Sequence, residues 1–167
     1  KSINISSEGK YSFDNSNFLK INVENNIFKD NFNLKLDFEY QKKIELELIN
    51  YKKSKKSIAN LSIDLEKKKN NININKLNFS EENNSIKIKD LNFKDNKFFS
   101  FKNIEVRMKN NDFIIKKGKK IVIKGTKFDA TNLANVLSKR SRENRFKKID
   151  GPIEIDFKNI DVPMSEK

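Results

Sequence analysis

Apolar and polar residues alternate along most of this chain. Phe32, Leu34, Leu36, Phe38 and Tyr40 give the longest clean run. Side chains on a strand point to opposite faces with period two, so such a run predicts a strand with one apolar and one polar face. Leu19, Ile21 and Val23 alternate in the same way, as do Leu61, Ile63 and Leu65. Ile44, Leu46 and Leu48 alternate, and Ile49 and Tyr51 follow after a slip of phase. Ile3–Ile5 and Tyr11–Phe13 are short strand candidates. Phe113 and Ile115 pair in pattern with Ile121 and Ile123 around Lys117-Gly118.

A repeated unit with a built-in phase slip stands in the middle of the chain. Ile72, Ile74, Leu77 and Phe79 form one copy, and Ile86, Ile88, Leu91 and Phe93 the next. Phe99, Phe101, Ile104 and Val106 form a third. In each copy two polar residues interrupt the alternation. Strict alternation would send Leu77 to the face opposite Ile74. An extra residue at Asn75-Lys76, a β-bulge, returns Leu77 and Phe79 to the face of Ile74 and bends the strand. The last run, Ile153, Ile155, Phe157, Ile160 and Val162, slips again at Lys158-Asn159.

The connections between runs are short, whereas a parallel crossover needs about a dozen residues or more. An antiparallel meander follows, with Asn and Asp supplying the left-handed turn positions. One segment departs from period two. Leu133, Val136 and Leu137 make a helical stripe, so a short helix is expected at 129–142 between strands. Asp129 reads as its N-cap, and Lys139, Arg140 and Arg142 suit its C-terminal end. The expected fold is all-β: a curved, mostly antiparallel meander, an open groove or taco-like half-barrel, with one short helix. One short helix cannot cover the apolar face of so many strands. That face must close on itself, meet more protein or hold lipid.

Composition narrows the chemistry. The chain has 167 residues and a formal charge of +13, with no His and no Cys. The commonest general base and the thiolate sites are therefore absent. Lys, Asn and Ile make up nearly half the sequence, the bias of an AT-rich genome, and arginines number only four. Bidentate recognition of phosphate or bases favours Arg, so the charge alone does not argue for nucleic acid. No second carboxylate or nucleophile stands at a recognised spacing from Asp129. No catalytic residue, metal site or cofactor is expected, and the chain reads as non-enzymatic. No apolar run reaches the length of a membrane span. Residues 1–167 read as a single segment of a longer repeating protein.

The run from Ile72 to Val106 resembles the repeating strands of the AsmA-like superfamily, which includes TamB and the YhdP-type proteins. The more specific stretch is Ile121 to Ala130, followed by Leu133 and Leu137. Gly125, Phe128, Asp129, Ala130 and Leu133 match the YhdP-type pattern of a strand that leads into a short helix. The resemblance covers roughly residues 60 to 163. It implies a periplasm-spanning β-groove that conducts phospholipid between inner and outer membranes. It also implies attachment to the inner membrane through an N-terminal helix outside this segment, and no nucleic-acid partner. The twelve apolar residues of the three repeat copies would line the groove, and Arg140, Arg142 and Arg145 would meet headgroups at its rim. Lys52, Lys53, Lys55 and Lys56 could also contact headgroups, or mark a solvated hairpin tip. Two other readings stay open: a structural or adhesive β-repeat module with a dry core, and a basic nucleic-acid-binding domain.

Overall fold

The computed structural model describes residues 1–95, 97–141 and 151–163. The alternating runs form strands β1 (Ser2–Tyr11), β2 (Leu19–Phe28), β3 (Asn31–Tyr40), β6 (Ala59–Lys68), β7 (Asn71–Glu81) and β8 (Asn84–Lys94). β9 (Lys97–Ser100), β10 (Asn103–Met108), β11 (Asn111–Lys117), β12 (Ile121–Asp129) and β13 (Ile153–Asp161) complete one eleven-stranded sheet. β4 (Ile44–Leu46) and β5 (Tyr51–Lys53), joined through a 3-10 turn at Glu47–Ile49, make a separate two-stranded ribbon. Among the described residues the one α-helix, α1, spans Leu133–Ser141. The sheet is curved and does not close into a barrel.

Sequential strands pair antiparallel from β1 to β12, as short connections dictate. The last pair differs. β12 and β13 run parallel, in an unbroken register from Ile121↔Ile153 to Asp129↔Asp161. The connection from Ala130 to Pro152 is long enough for a crossover and contains α1, the arrangement that parallel pairing requires.

The phase slips are absorbed where the pattern places them. Asp64 pairs with Lys76 and Leu65 with Ile74, so Asn75 is the extra residue of β7. In β8 the counterpart is Asp90, with φ of 53°. The pairs Ile74↔Leu91 and Lys76↔Lys89 bracket both residues, so the two bulges lie at one level. Asn75 turns to the polar side, where its Nδ2 donates to the Asp64 carboxylate at 3.1 Å. In the third copy the spacer breaks the strand between β9 and β10. Lys102 N–H donates to the Lys89 carbonyl and Lys117 N–H to the Lys102 carbonyl, which keeps the break inside the sheet. Together these irregularities crease the sheet across adjacent strands, since each bulge bends its strand.

Asn15, Asn50, Asp90 and Asp95 take positive φ as expected, but other turns depart from that chemistry. Lys29, Lys69 and Glu82 take positive φ at three hairpins, although Asn or Asp follows each of them. A two-residue turn fixes this geometry, and a long side chain tolerates it at a cost of about 1–3 kcal/mol.

The bulge at Asn75 carries a direct expectation. Inserting one further residue beside Asn75 shifts Asn71–Ile74 by one place against Leu77–Glu81, which turns Ile72 and Ile74 to the polar face. The unfolding free energy should fall by at least about 2 kcal/mol in urea titration. An unchanged midpoint would mean that the bulge does not set the register.

Candidate functional site

Register gathers the apolar residues of all these strands on one face. Leu61, Phe79, Ile86, Val106 and Phe113 form one row across β6 to β11. Leu36, Ile63, Leu77, Ile88, Ile104, Ile115 and Ile123 form a second, one step along each strand. Beyond the crease run Leu34, Leu65, Ile74 and Leu91, then Ile72, Phe93 and Phe98. Ile74 and Leu77 thus share a face, as do Ile88 and Leu91. Phe101 stands at the break between β9 and β10 with its ring stacked on Phe98 at 6.4 Å.

One expected lining residue falls elsewhere. Phe93 pairs with Phe98, not Phe99, because the register between β8 and β9 shifts at this point. Phe99 is the residue left over and is 66% exposed. Phe98 takes its place, with ring contacts to Phe93 and Phe101. Two equally apolar neighbours give period-two reasoning no means of choosing between them.

The buried core centres on the first row, and the second row flanks it. The β4–β5 ribbon folds over the end of the sheet where Phe79, Val106 and Phe113 lie. Ile49 and Tyr51 join those residues and Ala59 in the buried core, with Ile44 and Leu46 against it. The Tyr51 and Phe79 rings meet edge-on at 5.8 Å. Leu77, Ile88, Ile104, Ile74 and Leu91 remain half-buried, with Ile104 at the margin of that core. The sequence places Ile44–Tyr51 among the ordinary strands. The structure lifts this segment off the sheet as a flap.

Polar contacts pin the flap. Tyr51 Oη donates to the Glu81 carboxylate. Asn111, buried at the start of β11, donates through Nδ2 to the Ile49 carbonyl at 2.8 Å and accepts the Asp129 N–H at 3.0 Å. Asn50 donates to Asp129, and Asn132 to the Glu47 carbonyl. Lys53, only 1% exposed, donates to the carbonyls of Lys42, Ser54 and Ser57. Lys53 is therefore an internal cross-link and not a headgroup contact. Lys52, Lys55 and Lys56 are exposed.

The stretch from Gly125 to Ala130 has a structural account. Gly125 lies opposite Phe113, and a Cβ there would stand 2.3 Å from the Asp112 carbonyl oxygen and 2.5 Å from the Phe113 Cβ. That absence of side chain lets Phe113 pack edge-on against Phe128 and Phe157. Asp129 ends β12, four residues before the helix, so it does not cap α1. Its carboxylate accepts instead from Thr131 N–H and Oγ1 and from Asn50. α1 starts at Leu133 instead of 129 and is described as far as Ser141, with residue 142 outside the described residues; its Val136 is buried. Arg140 lies in α1, whereas Arg142 and Arg145 lie outside the described residues.

Two carboxylates hold the flap in ionised form. Burial pushes the Glu81 carboxyl up, but hydrogen bonds from Ser57 and Tyr51 and the Lys53 ammonium bring it below its ordinary value. Burial likewise raises Asp129, and hydrogen bonds from Thr131 and Asn50 overcome it. A carboxylate depressed on folding stabilises above its unfolded value, near pH 4, and that stability is lost as pH falls through the folded value. Protection of the amides in residues 44–53, taken relative to their intrinsic exchange rates, should therefore fall between about pH 4 and pH 2, before the meander opens. Protection that falls equally in β6 and β7 would contradict a separately released flap. Gly125→Ala should lower stability by about 1–3 kcal/mol in thermal or urea unfolding, since the contact is with backbone and cannot relax freely.

Among the described residues no group of His, Cys, Asp or Glu could hold a metal ion, and no helix is long and apolar enough to cross a membrane. No protein-family model, curated protein or solved structure matches this chain.

Proposed function

We propose that this chain is a non-catalytic lipid-conducting segment whose half-buried apolar rows carry the acyl chains of phospholipid. The observation that supports this reading is the second row. From Leu36 to Ile123 it runs unbroken over seven strands and stays half-buried beside the flap. At a strand spacing near 4.8 Å the track is about 30 Å long.

Such a surface favours burial of hydrocarbon by roughly 0.8 kcal/mol per CH₂. The gain is nearly equal at each step, because each strand contributes Ile or Leu at the same level. A chain can shift along the track without a deep trap. The flap denies the strip above Phe79 and Val106 to an acyl chain, so headgroups would lie toward the opposite ends of the strands. As the resemblance implies, the setting would be the periplasm, with membrane attachment through other parts of the protein.

Photo-reactive residues test the reading. Placed at Ile74, Leu77 or Ile88, they should form adducts with phospholipid. At Lys87 or Asn92, on the polar face, they should not. Ile88→Asp should abolish the Leu77 adduct while circular dichroism stays unchanged, because a carboxylate on an apolar track is poorly solvated. Equal labelling of both faces, or full labelling in a folded Ile88→Asp chain, would leave a structural β-module as the better reading.

A further inference from the structure

We infer that the hairpin turns at the uncovered end of the sheet form a docking surface for an anionic lipid bilayer. This rests on the lipid-conducting reading and says where the track meets a membrane.

The meander sends alternate turns to opposite ends of the sheet. The uncovered end receives Lys29-Asp30, the run Lys67-Lys68-Lys69, Lys94-Asp95 with Lys97, and Lys117-Gly118-Lys119-Lys120. These turns carry nine lysines and two carboxylates. The turns and flap at the other end carry seven lysines and five carboxylates. Pairing leaves the contrast in place. Among the described residues Lys68 pairs with Glu66 and Lys120 with Glu154, which leaves seven of the nine without an ion pair. At the flap end Lys43 and Lys52 pair with Glu45 and Lys53 is buried, which leaves Lys42, Lys55, Lys56 and Lys109.

The turns act as one surface. Asn70 Nδ2 donates to the Asp95 carboxylate at 3.0 Å, and Asp95 N–H to the Asn70 carbonyl at 3.1 Å, which joins the β6–β7 turn to the β8–β9 turn. Beside this joint a cavity of about 300 Å³ is lined by Lys67, Lys69, Asn70, Ile72 and Asp95. Ile72 belongs to the outermost row of the apolar face, so ammonium groups and that row meet in one place. Phe28, Phe98 and Phe99 are exposed among these lysines. A diffuse anionic surface asks for no bidentate geometry, so lysine serves it as well as arginine.

The test is co-sedimentation of the 167-residue chain with vesicles of phosphatidylcholine alone or mixed with phosphatidylglycerol. The chain should bind the mixed vesicles, lose them as salt rises, and ignore the neutral ones. Replacing Lys67, Lys69, Lys94 and Lys97 with Gln should weaken binding at least about tenfold. The same change at Lys42, Lys43, Lys55 and Lys56 removes equal charge from the flap end and should leave binding nearly unchanged. Lys69 lies in a turn, Lys67, Lys94 and Lys97 at strand ends and the other four at the flap margin, and circular dichroism checks the fold of each variant. Equal loss in both variants, binding to neutral vesicles, or binding of duplex DNA without vesicles would overturn the proposal. The Ile88 adduct, measured with phospholipid dispersed in detergent, reads the track separately. An adduct without vesicle binding removes only the docking surface, and vesicle binding without an adduct removes only the conduit.

Discussion

The structure depends on one constraint: every strand must keep its apolar side on the same face. A slip of one residue would send a whole strand's apolar set into solvent. Cross-strand pairs such as Leu77↔Ile88 and Ile104↔Ile115 reward the correct register, and the bulges at Asn75 and Asp90 maintain it through the polar spacers. The same bulges bend the strands. Register and curvature therefore come from the same residues, and the continuous apolar face is a by-product of both.

The flap is held in a different way. Its apolar contribution is small, chiefly Ile49 and Tyr51, and its attachment is largely polar. Buried polar groups cost free energy unless they are paired, so Asn111, Glu81 and Lys53 tie the flap to one position more strictly than apolar contact would. The result is a sheet face with one strip sealed and the next half-buried beside it. A sandwich with a dry core would bury both rows alike. Here Phe79 and Val106 are buried while Leu77 and Ile104 are not.

Much of this was legible in the chain because period-two patterning is local. The strands, the phase slips, the single helix and the shared face of Ile74 and Leu77 all follow from residues a few places apart. What was illegible depends on distant partners. Asn111 meets Ile49 and Asp129 across the fold, and no spacing announces that. The flap looks like further strand because Ile44 and Leu46 alternate; only its contacts with Phe79 and Val106 set it apart. Phe98 and Phe99 differ by register alone. Lysines that look evenly spread become asymmetric once the meander assigns turns to ends. The parallel β12–β13 pair was hidden in the length of one connection.

That pair also sets an order of events. From β1 to β12 nearly all pairing is between neighbours in sequence, so hairpins can form and zip locally, and the chain entropy lost at each step is small. β13 can dock only after the chain has traversed the crossover and found the far side of β12. Its contacts, Phe157 on Phe113 and Phe128 among them, complete a cluster that Gly125 leaves room for. The sheet is thus expected to grow along its length from local pieces and to be closed at this edge last, by the one strand whose direction breaks the alternation.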